Sequence, residues 1–164
     1  MTAPIRWPAE AVWEAVAPLL PGFTVEVLPS VDSTNTELMR RARTGPLEPV
    51  LLVAEEQTAG RGRLGRSWFS QPGQSLTFSL ALPMSRTGWS GLSLAVGVSV
   101  ADALHADVRL KWPNDLWLMG RKLGGILVET ASQGDRADSV RTVVIGVGIN
   151  IARPSEAAFG APAT

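Results

Sequence analysis

The chain has 164 residues, of which 45% are hydrophobic and 18% charged, and its fifteen basic residues balance its fifteen acidic ones. This length and composition are typical of one folded domain and argue against disorder, a coiled coil or a protein that coats nucleic acid, while the absence of Cys excludes disulfides, thiolate zinc sites and a cysteine nucleophile. Because there is no run of about 20 apolar residues and no basic segment followed by an apolar one at the start, we expect a soluble, cytoplasmic protein without a membrane span.

The first half of the chain alternates between helices and strands. In chain order, apolar spacing predicts a helix over 9–20, a strand over 23–27, a helix over 34–44 and a short strand over 50–54. Pro18 should end the first helix early, and Thr34-Asn35-Thr36-Glu37 fits a capping box at the start of the second. The next segment, 57–67, is too rich in Gly and Arg for a helix or a strand.

The second half of the chain is dominated by strands. Large apolar residues alternate with small or polar ones from Leu76 to Leu82, which predicts a strand with one buried face. The small residues of 92–104 predict an apolar helix that packs closely. Further strands are predicted over 108–112, 116–119, 123–130 and 140–151, with a hairpin-like turn at Gly120-Arg121 and a polar loop over 133–139. About seven strands and three helices in this order favour an α+β domain with a mixed, largely antiparallel sheet.

The basic residues are distributed unevenly. Thirteen of the fifteen are Arg, and the two lysines, Lys111 and Lys122, lie eleven positions apart. No acidic residue occurs from Gln57 to Ala101, whereas four arginines do: Arg61, Arg63, Arg66 and Arg86. A neutral protein with such a local positive field suits an anionic small ligand better than a polyanion.

The Gly/Arg loop, residues 60–66, combines two features that favour anion binding. Its glycines allow the backbone N–H groups to approach a ligand closely, and its arginines add bidentate donors for carboxylate or phosphate oxygens. The spacing is neither that of a P-loop nor that of a dinucleotide-binding turn. A surface turn or an RNA-binding segment is the alternative, although Trp68 and Phe69 favour an ordered loop.

Four further motifs each have an ordinary structural explanation when taken alone. Ser33-Thr34-Asn35 fits a helix cap, and Lys111-Trp112-Pro113-Asn114-Asp115 fits a turn at the end of a strand. Residues 121–125 place a basic pair before two glycines, and residues 146–150 form a strand with small residues on one face.

Taken together, five segments closely resemble the ordered motif set of biotin–protein ligases. They are Val31–Asn35, Gln57–Arg66 with Trp68, Lys111–Asp115, Arg121–Glu129 and Gly146–Asn150. The resemblance implies a fold related to class II aminoacyl-tRNA synthetases and a two-step reaction. In the first step, the carboxylate of biotin attacks the α-phosphorus of MgATP to give biotinyl-adenylate and pyrophosphate. A lysine of a biotin carboxyl carrier domain then takes the acyl group.

The resemblance also implies roles for individual residues, with Lys122 and Arg63 as the catalytic ones. The implied biotin-binding residues are Ser33, Thr34, Asn35, Gln57, Gly60, Arg61, Gly62, Arg63, Lys122 and Gly125. The implied ATP- and phosphate-binding residues are Arg61, Arg63, Arg66, Trp68, Lys111, Asn114 and Asn150. No side-chain motif for a metal is found, so Mg²⁺ should be carried by ATP. The segment 57–68 is expected to order over the ligands as a lid.

We expect residues 1–164 to form a single catalytic domain. Relatives in this family continue into further helices and a small C-terminal β domain, which this chain lacks. No N-terminal DNA-binding module can be found, which predicts a ligase that does not act as a repressor, and a homodimer is compatible with the family. Two alternatives remain open: a lipoate-type acyl-adenylating ligase, and a domain that binds biotin or its adenylate without turnover.

Overall fold

Seven strands form one mixed sheet in the computed structural model, which describes residues 3–85, 91–131 and 140–152. The described residues contain nine strands in all: β1 (Thr24–Val31), β2 (Val50–Gln57), β3 (Gly60–Arg61), β4 (Ser67–Trp68), β5 (Ser75–Met84), β6 (Arg109–Lys111), β7 (Asp115–Leu118), β8 (Arg121–Ala131) and β9 (Arg141–Asn150). The sheet order is β1-β2-β5-β9-β8-β7-β6, and β3 pairs with β4 in a separate two-stranded ribbon. Only β1 and β2 run parallel, which confirms the predicted mixed, largely antiparallel sheet.

Helices cover both faces of this sheet. They are α1 (Ala9–Val16), α2 (Thr34–Thr44) and α3 (Leu92–Leu104). On one face, Leu38, Met39 and Ala42 of α2 pack with Leu52 and Ala81 of the sheet. On the other face, apolar residues of α3 pack against the central strands β8, β9 and β5. No helix within the described residues is long and apolar enough to cross a membrane.

Strand β5 departs from the predicted pattern of one buried and one solvated face. Thr77, Ser79 and Ala81 are the most buried of its residues, and the larger Leu76 and Phe78 are only partly buried. The reason is tertiary, because α2 lies directly on the small-residue face and leaves no room for larger side chains. The apolar face packs beneath α3.

The predicted helices are confirmed, with a correction at the start of α2. Helix α1 stops at Val16, two residues before Pro18, so the early end is confirmed. The N-cap of α2 is Ser33 rather than Thr34, because the Ser33 hydroxyl accepts the Thr36 N–H at 3.3 Å. Helix α3 has the predicted bounds, and a Cβ at Gly97 would lie 2.8 Å from Leu110, which explains its small residue there.

Two local predictions in the turns also need correction. The β7–β8 turn has its positive φ angles at Met119 and Gly120, so Arg121 already belongs to β8. The Gly/Arg loop contains short regular elements, namely β3, a 3₁₀ turn over Arg63–Gly65 and β4. They form because Gly60 and Arg61 pair with Trp68 and Ser67, a local hairpin that composition did not indicate. The polar loop predicted over 133–139 lies outside the described residues.

Candidate functional site

A cavity of about 320 Å³, the first cavity, lies at the N-terminal end of α2. It forms where α2, the Gly/Arg loop and strands β8 and β9 meet above the sheet. Twelve of the fifteen residues predicted for the site line it: Ser33, Thr34, Asn35, Gln57, Arg61, Gly62, Arg63, Arg66, Trp68, Asn114, Lys122 and Gly125. Chain segments up to about ninety positions apart are thereby brought to one small volume.

A second cavity of about 430 Å³ adjoins the first. The two share Gln57, Ser67, Trp68 and Lys122, and the second receives Gly60 and Asn150 from the predicted set. Lys111 lines neither cavity, since its Nζ lies 4.2 Å from the centre of the Trp117 ring in a cation–π contact. The structure therefore divides the predicted residues between two neighbouring spaces and leaves one lysine outside both.

The polar end of the first cavity is built by the first turn of α2 and the end of β2. The backbone N–H of Thr34 donates to Gln57 Oε1 at 2.8 Å, and the Thr34 hydroxyl lies 3.1 Å from the same oxygen. Because Oε1 is engaged with α2, the amide NH₂ of Gln57 is the end left for other partners. Ser33 and Thr34 are both buried, so any ligand here meets polar groups shielded from bulk water.

Beneath this end lies a buried polar network that sequence analysis did not identify. Ser79 of β5 is fully buried, and its Oγ lies 2.7 Å from Thr34 Oγ1 and 2.6 Å from Asn35 Oδ1. The Asn35 Nδ2 donates to Leu127 O at 3.1 Å and to Glu129 Oε2 at 2.9 Å. Since an amide nitrogen has two hydrogens, both donors of Asn35 are used inside the protein. The only signal for Ser79 in the sequence was a small polar residue in an apolar strand.

Glycines of β8 and β9 leave room for two of the predicted side chains. A Cβ at Gly146 would lie 2.2 Å from Asn35 Oδ1, and one at Gly148 would lie 2.5 Å from Trp68 Cε2. A Cβ at Gly124 would meet the backbone oxygen of Gly148 at 2.4 Å, so Gly124 allows the backbones of β8 and β9 to approach closely. The Trp68 indole therefore packs closely against Gly148 of β9, and its buried Nε1 has no hydrogen-bond partner among the described residues.

The cations of the site meet two carboxylates from other parts of the chain. Arg61 Nη2 lies 2.7 Å from Glu129 Oε2, and Lys122 Nζ lies 3.1 Å from Asp115 Oδ1. Arg63 Nη1 donates to the Asn114 side chain at a long 3.4 Å. The site thus gathers four cations, the three arginines of the Gly/Arg loop and Lys122, against these two acids. The excess of positive charge suits a ligand with several negative charges.

Glu129 is held in its ionised form. Its partial burial opposes ionisation, but hydrogen bonds from Arg61 and Asn35 and the nearby positive charge outweigh burial and lower the pKa of the Glu129 carboxyl below its usual value. In the sequence, Glu129 is only the last residue of a motif, and no role was predicted for it. The available signal was its position in β8, two residues after Leu127, whose backbone oxygen accepts a hydrogen bond from Asn35 of α2.

No group of three or more His, Asp or Glu side chains within residues 3–85, 91–131 and 140–152 is arranged to hold a metal ion. Carriage of Mg²⁺ by ATP stays a prediction. The polyanionic phosphates of a nucleotide are themselves good Mg²⁺ ligands, so a protein site with cations and amides can take the metal together with its nucleotide.

Comparisons with known proteins agree on one family. The profile of the "Biotin/lipoate A/B protein ligase family" matches residues 27–150. The "Bifunctional ligase/repressor BirA" of Escherichia coli is 48% identical over 141 residues, covering 81% of this chain and 42% of that protein. The "Biotin--[acetyl-CoA-carboxylase] ligase" of Mycobacterium tuberculosis is 38% identical over 145 residues, covering 80% of this chain and 51% of that protein.

Solved structures show the same likeness. The biotin protein ligase from Aquifex aeolicus in complex with biotin and ATP superimposes with a TM-score of 0.65 at 34% sequence identity, covering 80% of this chain and 53% of that chain. The fold described above is therefore that of biotin protein ligase catalytic domains. The chain spans about half the length of the curated relatives it matches.

Proposed function

The chain belongs to the biotin/lipoate A/B protein ligase family, and from that premise we propose that it activates biotin with MgATP to biotinyl-5′-AMP and transfers biotin to a lysine of a biotin carboxyl carrier domain. The observation that carries this proposal is the first cavity, in which buried polar groups of α2 and β2 adjoin the cations of the Gly/Arg loop and Lys122. A small acid with a polar head fits such an arrangement.

The proposed first step brings a carboxylate and a polyphosphate together, so the main demand on the protein is fixed positive charge. A biotin carboxylate oxygen bonds to the α-phosphorus, and the bond from that phosphorus to pyrophosphate breaks. Lys122 is proposed to neutralise the charge that develops between the two anions, assisted by Arg63 and Arg66. The Lys122–Asp115 pair would hold the ammonium at the cavity wall while leaving its other N–H donors for ligand oxygens.

The proposed biotin head group lies at the other end of the first cavity. Ser33, Thr34 and Gln57 would hydrogen-bond the ureido ring, because their polar groups are buried or tied to α2 and would lose partners with an apolar analogue. Trp68, which lines both cavities, and Asn150 in the second cavity would face the nucleotide.

The second step needs a carrier lysine to reach the adenylate. Its amine would attack the acyl carbon, AMP would leave, and the amine proton would pass to solvent or to AMP. A carboxylase carrier is proposed because the Mycobacterium tuberculosis relative is named a ligase for acetyl-CoA carboxylase. We propose that this activity takes place in the cytoplasm.

The lipoate-type alternative is distinguished by substrate choice rather than by fold. The decisive experiment is exchange of labelled pyrophosphate into ATP, measured with biotin and separately with lipoate. Exchange with biotin alone supports the proposal, and exchange with lipoate alone would replace it by the lipoate-type ligase. Tight biotin binding in calorimetry without any exchange would instead identify a binding domain without turnover.

A further inference from the structure

Glu129 connects two elements that sequence analysis assigned separately to ligand binding. Its carboxylate lies on β8 with a quarter of the side chain exposed, and it accepts from Asn35 of α2 on one side. On the other side it pairs with both terminal nitrogens of Arg61, at 3.1 Å and 2.7 Å. One side chain therefore touches the first turn of α2 and the start of the Gly/Arg loop at once.

All three nitrogens of the Arg61 guanidinium take part in contacts within the protein. Its Nε donates to Thr36 Oγ1 at 2.9 Å, while the two terminal nitrogens form the bidentate pair with Glu129. A bidentate Arg–carboxylate pair is geometrically specific as well as strong, so this guanidinium is fixed in direction. Arg61 thus connects the loop to α2 and β8.

The position of Arg61 in its hairpin extends this restraint to Trp68. Arg61 pairs with Ser67, and the preceding Gly60 pairs with Trp68, so the fixed guanidinium lies one residue from the strand pair that carries the indole. A Cβ at Gly60 would lie 2.3 Å from the Trp68 backbone oxygen, which shows how tightly the two strands meet. Movement at Arg61 would therefore move the side chain that lines both cavities.

We propose that Glu129 is a positioning residue for the adenylation reaction: through Arg61 and Asn35 it fastens the Gly/Arg loop to the first turn of α2. The expected change in KM rests on the proposed function, whereas the expected faster digestion of the Gly/Arg loop does not. Without the carboxylate, Arg61 loses its bidentate partner and keeps only the contact of its Nε with Thr36, while the catalytic Lys122 keeps its own partner, Asp115.

The test uses Glu129→Gln, Arg61→Met and the double variant in the full chain. Glu129→Gln keeps the shape and one acceptor oxygen but removes the charge and the bidentate pair. We expect the KM for biotin in pyrophosphate exchange to rise about tenfold with a smaller change in kcat, and the double variant to add little to either single one, because contacting residues act as a unit. Limited trypsin digestion should cut faster after Arg63 and Arg66.

A matched control is Glu26→Gln. Glu26 also forms a bidentate pair with an arginine, Arg41, at 2.9 Å and 3.0 Å, but it lines neither cavity. This variant should lose a comparable ion pair without changing the KM or the digestion of the loop. A general loss of stability would affect both variants alike, whereas a positioning role affects only Glu129→Gln.

Several outcomes would overturn the inference. A parent-like KM and parent-like digestion in Glu129→Gln would do so, as would additive effects in the double variant. Should Glu129→Gln fail to fold, Arg61→Met decides, because the Arg61 side chain is 41% exposed and Glu129 keeps its hydrogen bond from Asn35 in that variant. A parent chain without biotin-dependent exchange would refute the proposed function, while loop digestion and biotin calorimetry would still decide the role of Glu129.

Discussion

Replacing Lys122 by Arg tests whether the Lys122 ammonium takes part in the reaction or is only an exposed charge at the start of β8. The Lys122 side chain is 43% exposed and its Nζ lies 3.1 Å from Asp115, a pair that Arg can also form. Because substitutions at exposed positions usually change the free energy of unfolding by less than about 0.5 kcal/mol, the variant should fold with nearly parent stability. Arg keeps the charge, but its planar fork differs in shape from a compact ammonium.

The expected effect on the proposed adenylation is large. Losing one preorganised contact to charge that develops in a transition state costs about 2.7–4 kcal/mol, or roughly 10²–10³ in rate. The assay is adenylate formation at saturating biotin and MgATP, with thermal unfolding measured in parallel. Arg121→Lys, the reverse exchange at the neighbouring exposed position outside both cavities, is the control. Equal rates for Lys122→Arg and the parent would refute the assigned role of Lys122.

Three further predictions concern the scaffold of the site. Gly148→Ala should destabilise the protein by about 1–3 kcal/mol in denaturant unfolding, because its Cβ would lie 2.5 Å from the rigid Trp68 ring. Ser79→Ala should lower the free energy of unfolding by about 1–3 kcal/mol and weaken biotin binding, because the buried side chains of Thr34 and Asn35 lose a hydrogen-bond partner. Hydrogen bonds that outweigh burial lower the pKa of Glu129 in the folded protein, and this lowered pKa stabilises the fold. The stabilisation is complete above about pH 4.5, the ordinary pKa of the group, and is lost as the pH falls through the lower folded-state pKa. It is measured from the free energy of unfolding of the parent and of Glu129→Gln as a function of acid pH.

Matched controls exist for these scaffold variants. Gly45→Ala adds a Cβ with no atom within 4 Å, and Ser99→Ala removes an exposed hydroxyl that bonds only within α3. Both should stay within about 0.5 kcal/mol of the parent. The packing argument for Gly148 fails if its variant is as stable as Gly45→Ala. The pH argument fails if Glu129→Gln and the parent lose stability in parallel below pH 4.5.

Local patterns in the sequence were sufficient for most of the secondary structure. The period of apolar residues predicted α3 to the residue and placed the strands of the main sheet, because burying one face of a helix or strand imposes that period directly. Of the fifteen residues predicted from the ordered motifs, twelve meet in the first cavity. Predictions were weaker for β5, where the neighbour α2 rather than the strand's own pattern decides which face is more buried.

The fold class, the order of the elements and the family that the motifs resemble could thus be predicted from the amino-acid sequence, since each depends on residues near one another in the chain. Which groups become partners could be seen only in the folded protein. Glu129 meets Arg61 across 68 positions and Asn35 across 94, Ser79 meets Thr34 across 45, and Lys111 turns to Trp117 rather than to a cavity. Such pairs depend on which strands lie side by side and on the space that glycines leave between them, and no local pattern carries that information.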